Sequence, residues 1–388
     1  MVIDRNTDEA TARTVIGRAT PWGLLGMVAI VFSIETWVET HRDRFASPVG
    51  AMFEASGRAS RTASVGRDVL FFGDSVIKFG VAPKVIEART GLKTYNLATI
   101  GSPASIPAIL LRQALESGAR PKAVVVDFKP TLLNLYEADP PSFGRIAGLG
   151  DGLKIAWTTR QPDNFTRFAV GWILPTYRDR FMIRMRLGEA LSGQVDPAFQ
   201  LPEARRVNWT VNLGAEILPP NPSSLTTPEF ANERKNLDPN WSCHPVNVAA
   251  IDEFFRLAAA HDIPVFWLLT PVHPRVQAGR TQAGIDASWD RFLAERTQGR
   301  NVVVVDARRL GVAPDLFVDA THLDRRGAAT LSEALADFLV DWRKHSPGAT
   351  NRWVVLPARN RPLDDGRLIE DTDQTGLALR NAEGTARR

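Results

Sequence analysis

Short apolar runs separated by helical patterns are the feature that most limits how this chain can fold. The runs are rich in Val, Leu and Phe, and they lack the alternation of apolar and polar residues that is typical of a strand with one solvent-exposed face. This pattern is typical of strands buried on both faces. The predicted strands are residues 68–72, 93–97, 123–128, 264–269 and 301–305, and the predicted helices between and after them include 103–117, 246–260, 287–296 and 325–342. Such alternation predicts an α/β fold in which helices cover both faces of a central parallel sheet.

The alternation lapses between residues 130 and 245, where the sequence is partly helical, Pro-rich and holds Trp157, Trp172, Trp209 and Trp241. A segment of this length is too long for a plain loop. We therefore predict an insertion after the third strand that forms a cap. Its tryptophans are expected to serve mainly the insertion's own core, and a carbohydrate or lipid groove is the alternative.

The regions outside this core differ in composition. Residues 39–67 combine Ala, Ser, Gly and Arg with little periodicity, which predicts a stalk in front of a domain spanning 68–344. Residues 345–388 are rich in Arg, Asp, Gly and Pro, and we expect most of them to be disordered. For the apolar run at residues 353–357, the alternative is that it docks on the sheet as an edge strand.

Residues 19–38 form a candidate membrane segment behind an N-terminal tail, residues 1–18. No charged residue occurs between Ala19 and Ile34, and Trp22 and Trp37 lie about 22 Å apart at helical rise, near opposite edges of a hydrocarbon layer. A single-pass anchor is the leading interpretation, with a cleaved signal peptide and a buried or interfacial helix as alternatives. With the anchor, the domain is expected outside the cytoplasm, although the flanking arginines bias the orientation only weakly.

The first candidate for chemistry is Ser75, which follows Gly73 and Asp74 where the first predicted strand runs into a helix. This position is the carboxyl edge of the sheet, where open α/β folds form their binding crevice. The amide of Ser75 and the positive end of the helix dipole favour an oxyanion there. The alternative is a structural one, with Ser75 as a helix cap and Asp74 as a turn residue.

A serine nucleophile needs a histidine oriented by a carboxylate. His322 alone among the six histidines has an aspartate, Asp319, three residues before it, and both lie between the last predicted strand and the last helix. That loop also lies at the carboxyl edge of the sheet. His244 and His273 are the reserve candidates for the base.

Together these residues resemble the SGNH or GDSL-type hydrolases, a family with a flavodoxin-like sheet, a Gly-Asp-Ser nucleophile turn and a late Asp-x-x-His. The resemblance implies that Ser75 is the nucleophile, His322 the general base and acid, and Asp319 its orienting partner. It also implies that the amide of Gly101, in the sequence Asn96-Leu-Ala-Thr-Ile-Gly101, joins that of Ser75 in the oxyanion hole. The similarity covers about residues 68–128 and 246–344.

One block departs from the family pattern. The family's third strand is usually followed by Gly-x-Asn-Asp, whereas this strand runs into Asp127-Phe-Lys-Pro-Thr131, and the chain contains no Asn-Asp pair. The third oxyanion donor is therefore open, with Lys129 or Asn134 as substitutes. By the resemblance, the same departure occurs in membrane-anchored relatives that acylate or deacylate exported polysaccharides.

Several other classes of function lack their sequence signals. The net charge is only +4, with acidic and basic residues interspersed, so nothing favours nucleic acid as a partner. The single cysteine, Cys243, allows no disulfide or CxxC motif, and we expect it to be a packing residue. No phosphate-binding glycine loop, dinucleotide motif or metal-ligand spacing occurs, so we expect neither cofactor nor metal.

The sequence therefore predicts a membrane-anchored serine esterase that acts on carboxylic esters, with O-acyl groups of an envelope or exported glycan as the favoured substrate. An O-acyltransferase that uses the same triad is one alternative. A catalytically inactive glycan-binding or assembly protein of the same fold is the other, and the missing Asn-Asp block favours it.

Overall fold

The structure is a computed structural model. It describes residues 22–134, 144–159, 162–197, 200–221, 240–345, 352–359, 361 and 368–386. The predicted N-terminal tail, residues 1–18, and the start of the membrane segment lie outside these residues.

A parallel sheet forms the centre of the described chain. Its strands are β1 Val69–Phe72, β2 Thr94–Asn96, β3 Ala123–Val126, β4 Val265–Leu269, β5 Val302–Asp306 and β6 Arg352–Val355. Their order is β2-β1-β3-β4-β5-β6, and each neighbouring pair is parallel. The first five strands lie within two residues of the predicted runs, so the α/β prediction is confirmed.

Helices connect the strands and cover the sheet. In chain order they are α1 Trp22–Thr40, α2 Pro48–Arg61, α3 Ser75–Gly80, α4 Pro83–Thr90, α5 Ser105–Glu116, α6 Pro130–Leu133, α7 Leu149–Thr159, α8 Pro162–Ile173, α9 Pro175–Arg178, α10 Arg180–Ser192, α11 Glu203–Val211, α12 Pro245–Ala259, α13 Pro274–Gln282, α14 Ile285–Thr297, α15 Arg325–His345 and α16 Thr372–Ala386. Short 3₁₀ turns lie at Arg42–Phe45 and Pro314–Leu316.

Successive strand residues face opposite sides of the sheet, and each side has its own apolar core. On one side Leu70 and Phe72 of β1 pack in a cluster with side chains of α5, α12 and α14. On the other side Val69 and Phe71 pack with side chains of α3 and α15. Burial on both faces explains why the strands read as continuous apolar runs.

The prediction of a stalk over residues 39–67 is wrong, because part of this segment is a helix of the domain. Helix α2 starts at the N-cap Ser47, whose hydroxyl accepts a hydrogen bond from the Gly50 amide, and Pro48 occupies the first helical position. Met52 and Phe53 are buried, and α2 packs against α5. The small residues that suggested a linker permit close packing instead: a Cβ at Gly57 would lie 2.7 Å from Ile146.

The prediction that residues 345–388 are largely disordered is also wrong for the described part of that segment. Strand β6 extends the sheet beside β5, so the edge-strand alternative is correct. Helix α16 packs on α11 of the insertion. Two bonds help to hold it there, since Asn208 Nδ2 donates to the Glu370 carbonyl and the Thr375 hydroxyl.

The segment after β3 is a helical insertion, as predicted, and it contains α6 to α11. Its tryptophans differ in environment. Trp209 is buried and donates from Nε1 to Glu216, whereas Trp241 packs in the main core, edge-on to Trp289. Trp157 and Trp172 are exposed.

Helix α1 is long and apolar enough to cross a membrane by its length and composition, with a mean hydropathy of 1.4. Its apolar side chains are mostly exposed, as they are from Trp22 to Ile34. This finding is compatible with the predicted anchor.

Candidate active site

The turn between β1 and α3 places Ser75 at the first position of a helix. Asp74 is the N-cap, and its carboxylate accepts a hydrogen bond from the Val76 amide. Gly73 has φ +139°, a region that residues with a side chain rarely adopt. A Cβ there would lie 2.9 Å from the Asp127 carbonyl oxygen, so glycine also permits the close approach of β3.

The loop before α15 brings His322 to the same edge of the sheet. Its ends are held by a bridge between Phe317 and Leu323 and by a hydrogen bond from the Val318 amide to the His322 carbonyl. The Asp319 carboxylate accepts from the backbone amides of Thr321 and His322, at 2.8 Å each. The loop is therefore a compact turn with Asp319 folded back towards His322.

Ser75, His322 and Asp319 form one hydrogen-bonded chain. Ser75 Oγ lies 2.8 Å from His322 Nε2, and His322 Nδ1 lies 2.6 Å from Asp319 Oδ2. A carboxylate only accepts hydrogen bonds, so Nδ1 carries the proton and Nε2 offers its lone pair to the Ser75 hydroxyl. The arrangement can remove the serine proton as a nucleophile attacks.

The surroundings hold this geometry and keep Asp319 charged. The His322 ring packs edge-on to Phe79 of α3, with the ring centroids 5.1 Å apart. Burial acts to raise the pKa of Asp319, but the hydrogen bond and charge of His322 and two backbone amides bring this pKa below its ordinary value. Asp319 is therefore ionised at neutral pH, and it can stabilise the imidazolium.

Two of the predicted oxyanion donors lie near the nucleophile turn. The Ser75 amide is the first of α3, where helical geometry supplies no backbone acceptor, while the Val76 amide is used by Asp74. Gly101 lies in a turn after β2 with φ +62°, and the nearby Thr99 amide donates to the Gly73 carbonyl. That bond joins the Gly101 segment to the turn that carries Ser75.

The proposed substitutes for a third donor lie at the two ends of α6. Lys129 is its N-cap residue and Asn134 its C-cap residue. Lys129 is close enough to Asp127 to act on its charge. A donor role for either residue remains a prediction.

Asp74 in the nucleophile turn and Asp127 at the end of β3 are both buried, and they are close enough for their charges to interact. Burial raises the pKa of Asp127 well above its ordinary value, the charge of Asp74 raises it further, and Lys129 and Arg280 act in the opposite direction. The sequence analysis did not identify this pair. The available signal was their position in the sequence. Asp127 directly follows the buried strand β3, and Asp74 follows the neighbouring strand β1 after one glycine, Gly73.

The reserve histidines have structural positions. His244 and His273 are the N-caps of α12 and α13, and their side chains accept hydrogen bonds from the amides of Val246 and Arg275. The His273 amide also donates to the Ala320 carbonyl, within the loop that carries Asp319.

Lys78 is the basic residue of α3, at a Ser-x-x-Lys spacing from Ser75 that some serine enzymes use for activation. Its ammonium group instead lies 5.4 Å from the centre of the Trp209 ring. Burial lowers the pKa of Lys78 to about 8, against the opposing charge of Glu216. The charge of Lys78 is thus directed at the insertion, while Ser75 bonds to His322.

Among the residues that the structure describes, no cluster of His, Cys, Asp and Glu has the arrangement of a metal site. Burial raises the pKa of the Cys243 thiol to about 12, in keeping with a packing role. No protein-family model matches this chain, and no curated protein sequence matches it either.

Proposed function

We propose that this chain is a serine hydrolase of the SGNH type that cleaves carboxylic esters through an acyl-Ser75 intermediate. The observation that carries the proposal is the continuous hydrogen-bonded chain from Ser75 Oγ through His322 to Asp319. Its three members come from two loops 247 residues apart in sequence, at the edge of the sheet where α/β folds bind ligands.

In the proposed reaction Ser75 Oγ attacks the ester carbonyl carbon while His322 Nε2 takes the hydroxyl proton. The negative charge that develops on the carbonyl oxygen is stabilised by the amides of Ser75 and Gly101. The intermediate then collapses as the alcohol leaves with the proton from His322. Water attacks the acyl-serine by the same route in reverse, and Ser75 is regenerated with release of the acid.

The sheet topology supports the family assignment. The order β2-β1-β3-β4-β5 is the order of flavodoxin-like sheets, and β6 adds one further edge strand. In such sheets the crevice lies outside the carboxyl ends of β1 and β3, next to the Gly73 turn. We therefore include the flavodoxin-like fold in the proposal.

For the substrate we propose O-acyl groups on an envelope or exported glycan, with α1 as a single-pass anchor and the domain outside the cytoplasm. The support is the combination of an apolar helix at the N-terminal side with a domain that carries an esterase-like triad. The acceptor distinguishes the two enzyme reactions: water makes the chain an esterase, and a sugar hydroxyl would make it an acyltransferase.

The test is labelling of the purified full-length chain with a fluorescent fluorophosphonate, which reacts only with an activated serine. We expect the wild type and Ser117→Ala to be labelled, because Ser117 is an exposed residue at the end of α5. Ser75→Ala and His322→Ala should not be labelled. A folded wild-type protein that resists the reagent would refute catalysis and favour a non-enzymatic role.

A further inference from the structure

Outside α1, most of the exposed large apolar side chains lie on the insertion. We call the following set the insertion face: Leu153, Trp157, Trp172, Ile173, Leu174, Phe181, Leu187 and Leu191. Leu187 and Leu191 are four residues apart on α10 and therefore lie on one side of that helix, where they are 58% and 81% exposed. Apolar surface of this extent marks a contact site for a protein or a membrane.

Part of the insertion face adjoins the apolar surface of α1. Trp172, Ile173 and Leu174 share a groove of about 760 Å³ with α1 residues, among which are Met27 and Val31. Leu174 lies two residues before Thr176, which bonds to Glu35, so this wall of the groove lies beside the part of α1 next to Glu35. If α1 lies in hydrocarbon, the groove wall from the insertion lies there too.

Polar contacts hold α1 against the insertion and so determine where the groove wall lies along α1. Both Glu35 carboxylate oxygens accept from Thr176, one from the amide at 2.8 Å and one from the hydroxyl. One turn further on, Glu39 pairs with Arg178 at 2.8 Å.

This contact continues into the domain through buried ion pairs. Arg178 pairs with Asp179, Asp179 with Arg145 at 2.6 Å, and Arg145 with Glu54 of α2 at 3.0 Å. Buried charges of this kind are costly to separate. The helix, the insertion and the domain are therefore held in one arrangement.

We propose that the insertion face lies in the lipid bilayer beside α1, with its apolar side chains among the acyl chains at the headgroup boundary. The exposed Arg180 and Arg184 accompany the apolar side chains of α10, and Arg180 lies over the Tyr177 ring. Arginine and tyrosine side chains next to apolar ones suit the membrane interface, where their polar ends reach the headgroups. The proposal depends on the proposed membrane placement of α1 and not on the esterase activity.

The apolar stretch of α1 within the described residues is short. From Trp22 to Ile34 the helix covers only about 20 Å at helical rise, less than the hydrocarbon thickness of roughly 30 Å. Glu35 then enters contact with Thr176. The insertion face extends the apolar surface sideways at this depth, and it holds the domain at the water boundary, where an acylated glycan or lipid-linked substrate is presented.

The proposal is tested with single spin labels on the full-length chain in liposomes of phosphatidylethanolamine and phosphatidylglycerol. In a Cys243→Ser background, cysteines replace Leu187 or Leu191 on the insertion face, Val28 on α1, or Leu377 on α16. Leu377 is the matched control, since it is an exposed helical leucine, 54% exposed, outside this surface. Collision rates are measured with oxygen, which enters hydrocarbon, and with a polar nickel complex, which does not.

We expect the ratio of oxygen to nickel collisions at Leu187 and Leu191 to exceed that at Leu377 by at least about threefold, as at Val28, because hydrocarbon excludes the polar complex. A high ratio at Val28 with the Leu377 value at Leu187 and Leu191 overturns the proposal and leaves the anchor intact. Protection from both reagents at Leu187 and Leu191 also overturns it, because it indicates a protein partner. A low ratio at Val28 refutes the anchor and the proposal together, while fluorophosphonate labelling of Ser75 remains unaffected.

Discussion

The substitution Asp319→Asn isolates the electrostatic role of the carboxylate from its role in the loop. Asp319 Oδ1 accepts from the amides of Thr321 and His322, and Oδ2 accepts from His322 Nδ1. An asparagine can keep the two backbone bonds through its amide oxygen. Its NH₂ group then faces Nδ1, which must become an acceptor, so the ring proton moves to Nε2 and Ser75 loses its base.

The size of the effect follows from this change of tautomer. In a serine protease triad the same substitution lowers the rate about 10⁴-fold with the geometry intact. That factor corresponds to about 5 kcal/mol of activation free energy. Since the backbone bonds of the loop are preserved, we expect the melting temperature of the variant to stay close to that of the wild type.

The assay is the second-order rate of inactivation by a fluorophosphonate, which depends on the activated serine and requires no known substrate. We expect a loss of about 10³- to 10⁴-fold for Asp319→Asn. The control is Asp373→Asn, a change at an exposed aspartate of α16, which should react at the wild-type rate. A folded Asp319→Asn protein that also reacts at the wild-type rate would refute the assigned role of the carboxylate.

Three further predictions concern stability. Gly73→Ala should lower the free energy of unfolding by about 1–3 kcal/mol, because it adds a side chain at positive φ against the Asp127 carbonyl; unchanged urea unfolding would contradict this. Trp241→Ala should cost about 3–5 kcal/mol in the same measurement, since the ring packs against Trp289 in the main core; a loss below 1 kcal/mol, roughly the cost of a surface change, would argue against that packing. Asp127→Asn mimics the neutral carboxylic acid that burial and the charge of Asp74 favour in the folded chain. Above pH 3.8 the variant should therefore gain unfolding free energy relative to the wild type, by up to about 1.4 kcal/mol per pH unit, until the pH reaches the pKa of folded Asp127. A difference independent of pH would show that Asp127 is ionised in the folded chain.

The central sheet could be predicted because a strand that is buried on both faces has a recognisable local sequence, a continuous apolar run. Strands β3 and β4 read as uninterrupted apolar runs, and each is within two residues of its predicted position. The sequence of helix α2 was less informative, because its close packing on neighbouring elements requires small residues that also occur in linkers. The Ser47-Pro48 start was the available signal.

Helix α16 was not predicted, and strand β6 was predicted only as an alternative, because long-range contacts stabilise these C-terminal elements. Helix α16 is held by side chains of α11, through bonds from Asn208 to residues more than 160 positions away. Strand β6 is stabilised by the edge of β5 rather than by its own propensity. Composition alone resembles that of a disordered tail, and no local pattern reports such partners.

The candidate triad was predictable because each of its two motifs is local and both fall at the carboxyl edge of the sheet. The sequence could not supply the distance between Ser75 and His322, and it did not reveal the buried pair of Asp74 and Asp127. Nor could it supply a third oxyanion donor. That role depends on which backbone or side-chain atom approaches the reacting carbonyl, a question of geometry rather than of residue type.

The most direct test of the account is to locate the fluorophosphonate adduct by mass spectrometry. Trypsin cleaves after Arg67 and Lys78 and releases residues 68–78, in which Ser75 is the only hydroxyl side chain. We predict that this peptide alone gains the mass of the reagent, in proportion to loss of the free enzyme. An adduct on another peptide, or none on a folded protein, would contradict the assignment of Ser75 as the nucleophile.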